Sequence, residues 1–326
     1  MSAIVAALAI AIPMTTPILL ATMGGIISER AGVLNLGIEG IMAVGALIGI
    51  VVTATTGTPW LGFAAGIIGG LVFSSILTLL SVTLKSDQVI TGVMLTLLGV
   101  ALSTYFGREW VGVNVNSFSA TPVPIIGEQL RAIPGIGEVL FYNTPVDYIA
   151  VLLVPIVWYF LFRTNIGLEI TAVGNDPETA DTMSINVTQT RHLCVLLSGA
   201  LAGAGGAALS LSFTGYWTTG LINNRGWVAV ALIIVSRWNP LWALLSSYFF
   251  GMIYAAQYRA QAVDYNEFMP LSDQLGSLYD VIFHSVVMSS YPFLLTIAVL
   301  VIFTYKSRRK LGAPQALAKP YLRESE

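Results

Sequence analysis

The sequence predicts an all-α polytopic membrane protein. Of its 326 residues, 56% are hydrophobic and only 10% are charged, and the mean hydropathy is +0.79. Soluble domains carry about 25% charged residues, so this chain has too few to cover a water-facing surface of its size. Several apolar runs exceed the roughly 20 residues that a helix needs to cross a bilayer. We therefore expect a single transmembrane domain over residues 1–326.

Nine apolar segments predict a bundle of about 8–10 transmembrane helices. The first 28 residues carry no charge and lack the basic region of a signal peptide, so we interpret them as the first membrane helix. Segment 226–236 is too short to cross, and a half-helix is tolerated only where protein or a water-filled cavity surrounds it. The segments are 3–27, 37–55, 60–83, 89–106, 146–162, 192–213, 226–236, 241–258 and 290–305.

The distribution of positive charge predicts the orientation. With the C-terminus inside and nine crossings, eleven of the 15 Lys and Arg residues fall on the inner side, which is the side that the positive-inside rule favours. Residues 306–326 are then a cytoplasmic tail, 107–145 an extracytoplasmic loop and 163–191 a polar cytoplasmic region. The net charge of −2, without a basic stripe, gives no indication of nucleic-acid binding, and the lone Cys194 excludes an internal disulfide.

Two small-residue faces predict close helix packing. Such residues at four-residue spacing let helix backbones approach each other in lipid. We expect them to hold a tight bundle and to have no direct role in binding a solute. The faces consist of Gly62, Gly66 and Gly70, and of Gly199, Ala202, Gly203 and Gly206.

The polar region 163–191 predicts a short helix at its centre. Asn175 or Asp176 is placed to cap it, Pro177 suits its first turn, and it ends before Ile185 and Asn186. So short a helix is unstable alone in water. It must therefore pack on its own bundle or dock a cytoplasmic partner.

The stretch SERAGVLNLGIEG, residues 28–40, places a carboxylate beside a long apolar run. We expect the chain to turn here at the inner face, with Gly32 allowing the bend and with Asn35 and Glu39 on one helix face. A carboxylate in the membrane is costly and usually faces the bundle interior. Glu39 therefore either contacts solute in a pathway, or neutralises Arg30, or bonds to backbone groups in a bent segment.

Aromatic and amide residues over 213–227 form a second candidate set at the predicted outer face. An aromatic belt at the membrane interface is one interpretation. The other is the outer mouth of a pathway for a flat, polar, uncharged solute such as a nucleobase. The candidate pathway residues are Asn35, Glu39, Phe213, Tyr216, Trp217, Asn223, Asn224 and Trp227.

Motifs for nucleotide hydrolysis and metal catalysis are absent from the sequence. Neither GxxxxGK[ST] nor HExxH occurs, so no catalytic residue, metal site or bound cofactor is predicted. A weak sequence similarity links residues 30–40, RAGVLNLGIEG, and residues 225–235, RGWVAVALIIV. It is compatible with an inverted internal repeat of a transporter.

Together these segments resemble the permease subunits of bacterial ABC importers, in the branched-chain amino acid and simple sugar permease superfamily, and especially the shorter permease of nucleoside importers. The resemblance covers about residues 20–305, in the family's order. It rests on ERAGVLNLGIEGIMAVGA (29–46), DQVITGVMLTLL (87–98), GLEITAVGNDPETADTMSINV (167–187) with LSGALAGAGGA (197–207), and RGWVAVALIIVSRWNPLWALLSSYFFG (225–251).

The resemblance implies alternating access driven by a cytoplasmic ABC ATPase, which would hold ATP and Mg²⁺. It implies a second, longer permease and an extracytoplasmic substrate-binding lipoprotein in a prokaryotic plasma membrane. Nucleosides are the expected solute, with a simple sugar, a branched-chain amino acid or another small polar solute as alternatives. An ion-coupled secondary transporter and an intramembrane enzyme fit less well. The family's coupling helix corresponds to Gly174, Asn175, Asp176, Pro177, Glu178, Thr179, Ala180, Asp181, Thr182 and Met183.

Overall fold

The computed structural model describes residues 3–122, 137–262 and 312–321, with isolated positions between 287 and 301. These residues form an α-helical bundle. Its helices are α1 (Ala3–Arg30), α2 (Ile38–Thr56), α3 (Pro59–Leu77), α4 (Gln88–Phe106), α5 (Gly137–Phe141), α6 (Pro145–Arg163), α7 (Asn165–Asn175), α8 (Pro177–Thr182), α9 (Val187–Ala208), α10 (Arg225–Val235) and α11 (Pro240–Ala262). Two short strands, β1 (Thr121–Pro122) and β2 (Tyr142–Asn143), pair antiparallel.

Six of the described helices are long and apolar enough to cross a membrane. This confirms the predicted fold class, a multi-pass α-helical membrane protein. Two of the six, α3 and α9, are extended by π-helical turns, Thr78–Thr83 and Leu209–Thr214. The predicted segment 290–305 lies outside the described residues except for isolated positions, so the total of eight to ten helices stays a prediction.

The two small-residue faces show the close helix packing that the sequence predicts, and they pack against each other. A side chain at Gly203 would meet the carbonyl oxygen of Gly66, and one at Gly70 would meet the carbonyl oxygen of Gly199. Helices α3 and α9 therefore cross at backbone distance. Helix α2 joins this contact, because a side chain at Gly45 would meet the backbone of Gly203. The three helices form the tightly packed part of the bundle.

The connection between α1 and α2 differs from the prediction. Gly32 turns the chain with φ +86°, as expected, but α1 continues to Arg30 and α2 begins only at Ile38. Asn35 therefore lies outside any helix, and the prediction that it shares a helix face with Glu39 is wrong. Its side-chain oxygen accepts a hydrogen bond from the Gly37 amide at 3.0 Å. That local bond holds the turn immediately before α2.

Helix α10 is the half-helix that the sequence predicts. It has 11 residues, and at 1.5 Å per residue it is about 16 Å long, half the thickness of a bilayer's hydrocarbon core. Residues 215–224 precede it without regular helix. The amides of Gly112 and Val115 donate to the carbonyls of Trp217 and Gly215. The loop after α4 thus lies beside this segment, at what we call the Trp217 end of the bundle.

The opposite end, which we call the Arg30 end, contains the α1–α2 connection, helices α7 and α8 and the segment 312–321. The backbone of Gly174 in α7 lies so close to the Arg30 carbonyl that a side chain would overlap it. The Ala316 amide donates to the Gly174 carbonyl at 3.0 Å. The predicted polar region and part of the predicted tail are therefore on one side of the bundle.

Candidate functional site

The centre of the bundle contains a contact between Glu39 and the first turn of α10. One carboxylate oxygen accepts a hydrogen bond from the Asn224 amide at 2.8 Å, and the other accepts one from the Gly226 amide at 2.6 Å. The first amides of a helix have no partner within the helix, and they carry the positive end of its dipole. Glu39 therefore satisfies two of these amides and balances their partial charge.

Glu39 lies about midway along the bundle. The chain from Leu34 to Gly40 climbs beside α4, since the Leu34 amide donates to the Gln88 side chain at 2.8 Å and Gly40 packs on Gly99. The part of α4 between these two contacts rises about 16 Å at 1.5 Å per residue. The α1–α2 connection thus enters from the Arg30 end, residues 215–224 enter from the Trp217 end, and they meet at Glu39.

Of the alternatives weighed for Glu39, bonding to backbone groups of a bent segment agrees with this geometry. Arg30, the other structural partner considered, points elsewhere. Its guanidinium carbon is 4.2 Å from the centre of the Phe162 ring, and its Nε donates to the Trp238 carbonyl at 2.8 Å. A role of Glu39 in contacting solute stays a prediction.

The far end of α10 is held by a second carboxylate, which the sequence analysis did not identify. Glu29 is 1% exposed, and it accepts a hydrogen bond from the Trp238 indole at 2.6 Å. Arg237 and Trp238 turn the chain after α10 with φ of 53° and 55°. Two consecutive left-handed residues require support from their surroundings. The sequence did contain an indication of this site, because Glu29 lies in the same stretch as Glu39, directly before the α1–α2 connection.

Beside Glu39, polar groups face outward from the middle of the bundle. Asn223 and Asn224 are exposed, and Trp227, in the first turn of α10, is 37% exposed. Amides exposed to lipid at this depth would lack hydrogen-bond partners, which is costly. This surface is therefore suited to face a partner protein or a water-filled pathway.

The remaining predicted pathway residues lie elsewhere. Asn35 donates to the Ser198 hydroxyl at 3.1 Å and is fully buried. Trp217 is 2% exposed and packs against Gly107, while Tyr216 is 44% exposed at the same end. Phe213 is half-buried in the π-helical turn that precedes them. The structure thus brings together Glu39, Asn223, Asn224 and Trp227, and it separates them from the three aromatics of the Trp217 end.

The short helix predicted between 163 and 191 is α8, and Asp176 caps it. The Asp176 carboxylate accepts hydrogen bonds from the Thr179 amide at 3.1 Å and the Thr179 hydroxyl at 2.6 Å. These bonds favour the charged form and lower the pKa of Asp176 below its usual value. Ala180 faces inward onto Val173 and Val187. The outer face is exposed and consists of Asp176, Glu178, Thr179, Thr182 and Met183.

The six apolar helices among the described residues define a multi-pass membrane protein. A family model described as "Branched-chain amino acid transport system / permease component" matches residues 7–273. The chain belongs to this family, and it is a permease subunit of an ABC transporter, not an enzyme. Such a subunit works with an ATPase, a substrate-binding protein and usually another permease.

Three relatives are similar over most of this chain. A putative glucose ABC transporter permease of Haloferax volcanii is 48% identical over 316 residues, 95% of each chain. A nucleoside ABC transporter permease of Lactococcus lactis is 35% identical over 73% of this chain and 77% of its own. A guanosine ABC transporter permease of Bacillus subtilis is 30% identical over 98% of each. No solved structure matches the chain.

Proposed function

We propose that this permease forms half of a pathway for an uncharged, hydroxyl-bearing ring solute, either a nucleoside or a simple sugar. The observation that carries the proposal is the half-helix α10, which begins midway along the bundle. The exposed residues Asn223 and Asn224, which have amide side chains, lie beside Glu39 at its start. Discontinuous helices near the bilayer midplane form the substrate sites of many transporters.

The position of Glu39 favours an uncharged solute. In a discontinuous helix the positive N-terminal end commonly binds an anionic group of the substrate. In this chain Glu39 already occupies that end. A carboxylate or phosphate of a solute would compete with it and meet its negative charge. This argues against a branched-chain amino acid, which carries a carboxylate.

The side chains around Glu39 support a ring-shaped solute. Asn223 and Asn224 offer amide donors and acceptors, and Trp227 offers an aromatic face. Such groups suit a nucleobase, and two relatives are named as nucleoside and guanosine permeases. The same groups suit a hexose, and the relative at 48% identity is named as a putative glucose permease. We retain both solutes, because the named relatives favour each.

We propose that α8 is the coupling helix, with Gly174–Met183 docking the ATPase through its exposed face. ATP binding would displace α8 and switch the side to which the pathway opens. A second permease, a longer relative, would cover the surface formed by Asn223, Asn224 and Trp227. In this proposal the protein lies in a prokaryotic plasma membrane, with its C-terminus and the Arg30 end in the cytoplasm.

The test is calorimetric titration of the partner substrate-binding protein with nucleosides, hexoses, pentoses and branched-chain amino acids. Uptake by the complete transporter in proteoliposomes, with the same solutes as competitors, gives the transport counterpart. Tight binding of nucleosides or of a hexose, together with competition by the same solute, supports the proposal and decides which of the two solutes is transported. Tight binding of a branched-chain amino acid or of a nucleotide would refute the argument from Glu39.

A further inference from the structure

The segment 312–321 lies against three elements of the Arg30 end: the α1–α2 connection, the α7–α8 region and the start of α9. We propose that this segment is a strap that makes the coupling helix and the α1–α2 connection move as one body. The proposal rests on the role of α8 proposed above. In this role a C-terminal segment controls how much of the movement that the ATPase imposes on α8 is transmitted to Glu39.

The strap bonds to both elements through backbone amides close together in the chain. The Ala316 amide donates to the Gly174 carbonyl in α7 at 3.0 Å. The Ala318 amide donates to the Gly32 carbonyl in the α1–α2 connection at 3.2 Å. Three residues of the strap therefore bond to both α7 and the connection, which also contact each other directly where Gly174 packs on Arg30 and Gly32. A displacement of one of these elements is transmitted directly to the other.

Arg191, in the first turns of α9, reinforces this bridge. Its Nε donates to the Ala31 carbonyl at 3.2 Å, and its Nη1 donates to the Lys319 carbonyl at 3.1 Å. The side chain is 3% exposed. The guanidinium group is a rigid planar fork, so the two carbonyls that it bonds are held at a fixed separation. Connection and strap are thus joined a second time.

The strap has a defined structure of its own. The Leu317 amide donates to the Pro314 carbonyl and the Lys319 amide to the Ala316 carbonyl, both at 3.2 Å. Ala318 has φ of +62°, a left-handed conformation that a residue with a side chain adopts at a cost and keeps only where its surroundings enforce it. Tyr321 packs against the cluster beneath α8. These features indicate a seated segment with one conformation.

The path from α8 to the half-helix is then continuous. It runs from the cap of α8 through Gly174 and the strap to Gly32, and along the extended connection to Glu39 and the start of α10. An extended backbone that is not part of a helix transmits a displacement only if it is held at the Arg30 end of the bundle. The strap and Arg191 supply that hold, together with the backbone contact of Gly174 on Arg30.

Two truncations of the complete transporter test the proposal. Stopping the chain after Leu311 removes the strap, whereas stopping it after Tyr321 removes only the residues beyond it. We expect the shorter chain to keep its ATPase but to move about 5- to 30-fold less solute per ATP, the factor for two backbone hydrogen bonds. Amide exchange at residues 31–37 should rise in the same chain. The longer truncation should match the full chain in all three measurements.

A point variant gives a finer test. Ala318→Val places a β-branched residue at a positive φ and should reproduce the loss of coupling, whereas Ala318→Gly fits this conformation and should preserve coupling. If removal of the strap left amide exchange at residues 31–37 and the solute moved per ATP unchanged, the proposed role of the strap would be refuted. ATPase binding that survives Asp176→Lys with Glu178→Lys would instead overturn the docking role of α8, so the two failures are distinguishable.

Discussion

Replacing Glu39 tests whether the carboxylate holds the half-helix. Glu39→Gln keeps the size of the side chain but leaves one oxygen for two amides, those of Asn224 and Gly226. A hydrogen bond to a charged group contributes about 1.5–3 kcal/mol, and the dipole of the helix adds up to about 2 kcal/mol where the site is partly buried. The loss of one bond corresponds to about a 10- to 150-fold change in the equilibrium between held and released α10.

The assay is ATP-driven uptake by the complete transporter in proteoliposomes, measured together with ATP hydrolysis. We expect Glu39→Gln to reduce uptake at least about tenfold, because α10 no longer returns to one position. Hydrolysis without solute should continue. Glu109→Gln, an exposed carboxylate at the Trp217 end, is the matched control and should leave both rates unchanged. Uptake by Glu39→Gln within about twofold of the parent would refute the reasoning.

Three further variants examine the packing, the docking face and the second carboxylate. Gly203→Ala should push α3 away from α9 and destabilise the bundle by about 1–3 kcal/mol, seen as a lower melting temperature in detergent. Asp176→Lys with Glu178→Lys should release the ATPase without lowering the melting temperature, as co-purification will show. Trp238→Phe should leave Glu29 without its indole donor and destabilise the bundle by about 1.5–3 kcal/mol in the same melting assay.

Each of these substitutions has a control on an exposed surface. Ala64→Leu lies on the outward side of α3 and should leave the melting temperature unchanged, unlike Gly203→Ala. Glu109→Lys reverses a charge at the opposite end and should leave the ATPase bound. Trp242→Phe removes an indole that is 62% exposed and should be neutral. A control that behaves like its partner variant would contradict the corresponding assignment.

Much of the fold follows from local features of the sequence. Membrane helices are recognisable because a run of apolar residues is a property of adjacent positions, and the faces containing Gly66 and Gly203 follow from a fixed spacing. The cap at Asp176 and the half-helix of α10 are equally local. The limits of α2 were predicted to within one residue, but the placement of Asn35 on a helix face with Glu39 was wrong. Asn35 lies before the helix, where its side chain accepts a hydrogen bond from the Gly37 amide.

The site was only partly predictable, for a physical reason. The sequence shows that burying the Glu39 carboxylate in an apolar stretch is unfavourable. It does not show which hydrogen-bond donors compensate for that burial. Those donors, the amides of Asn224 and Gly226, are about 185 residues away and are backbone groups, which leave no signature in residue type. The same holds for the amides of Ala316 and Ala318 in the strap.

The sequence by itself therefore determined the class of the protein, its family, its helical packing faces and its short helix capped by Asp176. All of these depend on composition, spacing and short motifs. Only the tertiary structure decided that the two broken segments meet midway along the bundle, and that Glu29 and Glu39 hold opposite ends of one half-helix. Those contacts form when distant backbones approach closely enough for unpaired amides to reach a carboxylate, and such an approach is a property of the packed bundle.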